Sequence, residues 1–442
     1  MLARLALVCL VVGLTGCGTL PRNAVPPELV ATAVVPHMPE VRAPASGPSA
    51  TMERDLEKSI EQESPEEFPR SADGLVHYAH LALSGGGSNG AFGAGFLNGW
   101  SSTGSRPTFK LVTGVSTGAL MAPFAFLGSS YDEALREFYT TTTSRNIFQR
   151  LPIARQLLAG ESLADTGPLA ALIAQNVDAA LLRGIADAHN RGRRLYIGTV
   201  DLDSQRFIVW NMGLIATSGR PEALDLFRQV MLASASIPIA FPPVFFEVEA
   251  GGQRYDEMHV DGGVWFRVFI SGGVFGASII RERAGRGGGQ EDIYLIHNGQ
   301  LGSVPAATPR SLAGIGLRVL ESAGKSASIG DLFRVYAFAQ FAQADFYWVT
   351  IPDAVYIDSD ETFDPVSMRK LYEIGYQRVF EKPVWFMRPP GFENEASPWR
   401  PGAELSGIAR SARYGISEYP QHLASWGKRK AWVKTLAAFS RS

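Results

Sequence analysis

Three stretches of this sequence combine residue types and spacings that could do chemistry. LALSGGGSNGAFGAG (residues 81–95) ends an apolar run in Gly85, Gly86 and Gly87 and opens a small-residue helix. LVTGVSTGAL (residues 111–120) holds Gly114-Val115-Ser116-Thr117-Gly118, a G-x-S-x-G sequence between an expected strand and an expected helix. MHVDGGVW (residues 258–265) ends an expected strand in Asp261-Gly262-Gly263, a tight turn that presents a carboxylate.

The glycine turn admits three readings. Gly85, Gly87 and Gly90 satisfy G-x-G-x-x-G, the dinucleotide pattern, but that site also needs an acidic residue about 20 positions on. Between Asp73 and Asp132 there is no Asp or Glu, which argues against a dinucleotide. A phosphate-cradling loop needs Lys-Ser or Lys-Thr after its last glycine, and Gly90 is followed by Ala91-Phe92. The third reading is an oxyanion hole. Consecutive glycines leave backbone N–H groups uncovered, so several can point at one oxygen. Gly87 lies 29 residues before Ser116. Two adjacent parallel strands joined by one crossover helix would bring both turns to one sheet edge.

Ser116 has the context of a nucleophile elbow: strand, sharp glycine-flanked turn, helix. The alternative is a chance G-x-S-x-G in a chain with 46 glycines. The histidines after it are His189, His259, His297 and His422. His297, in LIHNG, is the one at an expected strand end, and it reads as a hydrogen-bonded structural residue. Asp261 alone would read as a turn cap, but it stands as the third member of an ordered set, 145 residues after Ser116.

That set resembles the patatin-like phospholipases. Their pattern is a glycine-rich oxyanion loop, a G-x-S-x-G serine and an aspartate in Asp-Gly-Gly or Asp-Gly-Ala. ASASIPIAFPPV (residues 233–244) is similar to the family's segment before the aspartate strand, and the resemblance covers roughly residues 76–380. It implies a Ser-Asp dyad with Ser116 as nucleophile and Asp261 as base, and backbone N–H groups of Gly85, Gly86 and Gly87 at the oxyanion. It also implies an acyl-enzyme route to hydrolysis of lipid acyl esters, without metal or other cofactor. Asn89 stands where the family commonly has arginine or lysine, which weakens the expectation of an anionic head group. The competing expectation is a non-catalytic protein of the same fold acting as a binding or assembly module. Acyl transfer to a nucleophile other than water would use the same residues.

The elements that must position these groups alternate. Strands are expected at 76–83, 111–115, 194–201, 207–210, 244–248, 255–260, 292–297 and 346–351. Helices are expected at 89–100, 117–127, 131–140, 162–176, 221–233, 312–344 and 365–380. This alternation predicts an α/β domain with a largely parallel central sheet covered by helices. With the resemblance, it implies a three-layer α/β/α domain over residues 74–390.

The ends differ in character. MLARLALVCLVVGLTGCGTL reads as a secretory signal over residues 1–16, and Leu14-Thr-Gly-Cys17 resembles the lipobox of bacterial lipoproteins. That resemblance implies lipidation of Cys17, with Gly18 directing the protein to the outer membrane as a periplasm-facing anchored form. Residues 17–73, proline-rich and then acidic, read as a disordered tether, with a short exposed helix the alternative over the acidic residues 51–73. Residues 391–442 form a basic extension with Trp426 and Trp432, read as a helix packed on the domain or lying on a membrane. The net charge of −2 over 442 residues excludes the footprint of a nucleic-acid binder. The resemblance implies a membrane lipid or other acyl ester as partner, and no nucleic acid or nucleotide is expected.

Overall fold

The computed structural model describes residues 20–45, 49–151, 161–270, 281, 285, 289–357 and 361–392. The expected signal peptide, Cys17 and nearly all of the basic extension lie outside these residues. Nine strands make one mixed sheet: β1 (Arg42–Pro44), β2 (Val76–Leu83), β3 (Phe109–Gly114), β4 (Arg194–Asp201), β5 (Arg206–Asn211), β6 (Val244–Ala250), β7 (Gln253–Asp261), β8 (Gly289–His297) and β9 (Asp345–Thr350). Their order is β1-β5-β4-β3-β2-β8-β9, with β7 also on β4 and β6 on β7. The run β4-β3-β2-β8-β9 is parallel throughout. The other four strands pair antiparallel.

Parallel strands covered on both faces are apolar on both, and β2, VHYAHLAL, is buried at seven of its eight positions. Side chains alternate across it, so Leu81 and Leu83 join one core cluster and Ala82 the other. The first cluster is covered by α2 (Gly90–Ser102), α3 (Thr117–Leu127), α4 (Asp132–Thr141), α5 (Gly167–Asn176), α6 (Ala179–Asn190), α7 (Ala223–Ser234) and α9 (Pro365–Arg378). The second is covered by α8 (Leu312–Phe341), through Leu332, Val335, Tyr336 and Ala339. The result is a mixed α/β fold with a mostly parallel central sheet flanked by helices. Helix α6 escapes the sequence reading. Its signals are the Asp178 side chain capping the N–H groups of Ala180 and Leu181, and buried Leu181, Ile185 and Ala188 on one face.

Residues 20–73 depart from the expected tether. Val35, Met38 and Val41 are buried in the first core cluster, and Val25 packs with Val248 and Ala250. Strand β1 pairs with β5, Arg42 opposite Trp210. Residues 50–61 form the helix α1 (Ala50–Glu61). Its Asp55 is buried and accepts hydrogen bonds from Arg194 Nε at 2.9 Å, Tyr196 OH at 2.6 Å and Asn211 Nδ2 at 2.8 Å. Proline and charge dominate the composition here, but a few apolar anchors and the buried ion pairs of Arg42, Asp55 and Glu63 decide the structure.

Two strand ends fix the geometry that follows. Strand β3 stops at Gly114, paired with Ile197 of β4. From Thr199 onward β4 has β7 as a neighbour, with Asp261 opposite Thr199. The chain leaving β3 and the end of β7 therefore meet at one strand edge, two residues apart along β4.

Candidate active site

Ser116 sits in the turn between β3 and α3 with φ 55° and ψ −126°, a region that non-glycine residues rarely occupy. Its N–H donates to Ser234 Oγ at 3.0 Å, and that hydroxyl donates to the Gly198 carbonyl at 2.7 Å. The strained turn is thus clamped to α7 and β4. Gly114 and Gly118 flank it. A Cβ on Gly118 would lie 2.3 Å from the Leu83 carbonyl, so only glycine lets α3 start this close to β2.

Asp261 ends β7 and is held by its N–H on the Ser236 carbonyl at 2.9 Å. Its carboxylate accepts the N–H of Gly263 at 2.7 Å, and the Ser116 hydroxyl lies near enough to lower its pKa. Gly262 packs against Gly198 and Val115. Ser116 is 7% exposed and Asp261 4%. Burial pushes the Asp261 carboxyl up to about 6, opposed by the Ser116 and Gly263 hydrogen bonds and by nearby Arg267.

The glycine turn lies beside this pair, as the parallel pairing of Leu83 with Gly114 requires. Its three glycines do different things. The Gly85 N–H donates to the Arg267 carbonyl at 2.9 Å, which corrects the expectation that it faces an oxyanion. What Gly85 does is leave room for the nucleophile: a Cβ there would lie 3.1 Å from Ser116 Cβ. Gly86 is pressed against Asn298, whose carbonyl oxygen would be 1.9 Å from a Cβ. Gly87 has φ +59° with open space in front of it. Among the described residues, the N–H groups of Gly86 and Gly87 meet no protein acceptor. Asn89 donates its N–H to the Gly86 carbonyl and lines the same cleft, and Gly90 opens α2 against Thr117 and Tyr139.

Asn298 is a site residue that the sequence reading passed over. Its N–H donates to Ser84 Oγ at 2.7 Å, its Nδ2 donates to the Ser84 carbonyl at 2.9 Å, and its Oδ1 accepts the Gly93 N–H at 3.1 Å. It braces the glycine turn from both ends. The one available signal was an Asn-Gly after the strand that ends in His297.

His297 lines the cleft with Nδ1 on Thr350 Oγ1 at 2.9 Å. Burial and the Arg267 and Lys325 charges bring it down to about 4, so it is neutral near pH 7. His259 is buried against Thr199, and His422 lies outside the described residues. Asp201, Glu257 and His259 bring metal-type ligand atoms within 4.8 Å of one another. Arg42 already occupies both Glu257 oxygens, so this cluster is internally paired.

Ser116, Asp261, Gly86 and Gly87 open into a cleft of about 520 Å³ whose far wall is α8. A second, apolar recess of about 30 Å³ adjoins Ser116 between Leu120, Phe138, Ile147, Phe241 and Met368. An ionised Asp261 beside the Ser116 hydroxyl can take a proton as that oxygen attacks an electrophilic carbon in the cleft.

Residues 81–270 match the family model described as patatin-like phospholipase. None of the curated proteins matches the sequence. Among solved structures, VipD from Legionella pneumophila is similar at 14% identity and a TM-score of 0.33, over 70% of this chain and 68% of that one. The human GIVD cytosolic phospholipase A2 is similar at 10% identity and a TM-score of 0.26, over 64% of this chain and 51% of that one.

Proposed function

We propose, from the match of residues 81–270 to the patatin-like phospholipase model, that the protein cleaves lipid acyl esters with a Ser116–Asp261 dyad through an acyl-enzyme. The observation that carries this reading is the convergence of Ser116, in its strained turn, and the buried Asp261 on one edge of β4, where burial pushes the Asp261 carboxyl up to about 6. An ordinary aspartate near 3.9 would be a weaker base, and one at about 6 is still ionised at neutral pH.

The chemistry follows in two halves. Ser116 Oγ bonds to the ester carbonyl carbon as its proton passes to Asp261. The carbonyl oxygen gains charge and is met by the N–H groups of Gly86 and Gly87. The intermediate collapses, the carbon–alkoxide bond breaks, and the alcohol leaves with the proton from Asp261. Water then attacks the acyl-Ser116 ester, gives its proton to Asp261, and Ser116 regains a proton as the fatty acid departs. The 30 Å³ recess has room for about one water-sized group, so a long acyl chain belongs in the larger cleft beneath α8.

The reading extends to place. A lipidated Cys17 would tether the domain at the outer membrane, facing the periplasm, beside its substrate. Radiolabelled palmitate incorporated by the wild type and not by Cys17→Ala tests the anchor. Release of fatty acid from phospholipid vesicles, absent in Ser116→Ala, tests the reaction; a folded wild type that releases none returns the domain to a binding role.

A further inference from the structure

We infer that Arg267 and Lys325 form an anion subsite in the cleft that takes the phosphate of an acyl-ester substrate. The inference rests on the reading of Ser116 and Asp261 as the reacting pair, and it adds what the substrate carries beside the ester. Arg267 follows the Asp261 turn by six residues, and its guanidinium lies between two glycines. A Cβ on Gly263 would be 3.2 Å from Nη1, and a Cβ on Gly324 of α8 would be 2.9 Å from Cζ. Gly263 is also the residue whose N–H holds Asp261. The guanidinium is thus one residue's width from the base and lines the cleft with it.

Among the described residues the Arg267 side chain makes no salt bridge, and its buried Nε has no hydrogen-bond partner. The acids around it are already engaged. Asp331 accepts the backbone N–H groups of Arg267 and Val268 and pairs with Arg334. Glu321 pairs with Arg318, and Asp261 holds the Gly263 N–H. Lys325, next to Gly324 and also lining the cleft, gives one hydrogen bond to the Gly302 carbonyl and makes no salt bridge among the described residues.

An arginine stays charged at any working pH, and a buried donor without an acceptor is costly. A planar guanidinium that keeps donors open to a cleft matches the paired oxygens of a phosphate. Asn89 leaves the glycine-turn side neutral, so the positive charge of this cleft comes from the α8 side. A phosphodiester bound there would place its acyl ester toward Ser116 and Gly86.

The test uses full-length Ser116→Ala at pH 8, which binds without turnover. Calorimetry compares dihexanoyl phosphatidylglycerol, dihexanoylglycerol and inorganic phosphate, in that background and with Arg267→Gln, Arg267→Lys or Lys325→Met added. The expected result is phosphatidylglycerol binding about 10- to 100-fold tighter than dihexanoylglycerol, a preference erased by Arg267→Gln, reduced by Lys325→Met and partly kept by Arg267→Lys. Equal affinity for the two lipids, or a preference that survives Arg267→Gln, overturns the subsite. Inorganic phosphate binding as tightly as the phospholipid overturns its assignment to substrate. If Arg267→Gln does not fold, Lys325→Met and Arg267→Lys carry the same comparison. Fluorophosphonate labelling of the wild type separates the claims: labelling without lipid discrimination overturns this subsite alone, and discrimination without labelling overturns the hydrolase reading alone.

Discussion

Ser116 and Asp261 meet because β4 changes neighbours between them. Ile197 pairs with Gly114 at the end of β3, and Thr199, two residues on, pairs with Asp261 at the end of β7. At about 3.3 Å per residue, that places the two chain ends within side-chain reach. A parallel strand delivers the nucleophile and an antiparallel one delivers the base, from opposite directions, to one edge.

Activity should follow Asp261. Asp261→Asn keeps the turn but removes the proton acceptor, and the expected loss in kcat/KM is about 10²- to 10⁴-fold. Ester hydrolysis measured beside a far-ultraviolet circular dichroism spectrum checks that the fold is kept.

The pH profile of kcat/KM should rise through an apparent pKa near 6, where the Asp261 carboxyl ionises. His297, held down to about 4, is neutral across that range, so His297→Gln leaves the limb in place. Arg267 pulls the Asp261 pKa down, so Arg267→Gln moves the limb to higher pH.

Stability should run the other way. Burial pushes the Asp261 carboxyl up to about 6 in the folded protein, against 3.8 for a free carboxyl. The folded state therefore binds the extra proton between those values, and stability falls as pH rises across that window. Above it the buried carboxylate costs about 3 kcal/mol. Asp261→Asn is expected to melt higher than wild type at pH 7.5, with the difference shrinking toward pH 4. Thermal melts at both pH values check this.

Gly86 and Gly87 should respond differently to alanine. At Gly86 the new Cβ meets the Asn298 carbonyl at 1.9 Å, so the turn must move, and a drop of at least about 10²-fold in kcat/KM is expected. At Gly87 nothing blocks the methyl, and the cost is the positive φ, about 1–2 kcal/mol of stability. Denaturant melts and kinetics of the two variants separate these effects.

The chemistry was more legible in the sequence than its supports. G-x-S-x-G and Asp-Gly-Gly are local turn signals, and β2, β4 and α3 announce themselves as apolar runs between glycines. What was hidden depends on partners far along the chain. Gly85 gives its N–H to Arg267, Asn298 braces Ser84, and Ser234 clamps Ser116, none of them visible as spacing. The segment 20–73 misled because composition averages over residues, whereas Val35, Met38, Val41 and Asp55 act singly.

Residues 20–73 are accordingly predicted to be needed for folding. Removing Asp55 leaves Arg194, which is 1% exposed, as a buried and poorly compensated charge. Asp55→Ala should lose about 3–5 kcal/mol in urea denaturation, whereas a tether residue would lose nothing measurable.

The most direct test of the central claim is labelling of the full-length protein by a fluorescent fluorophosphonate, which reacts with an activated serine. The account predicts that wild type labels, that Ser116→Ala does not, and that Asp261→Asn labels far more slowly. Labelling that persists in Ser116→Ala, or none in a folded wild type, would contradict it.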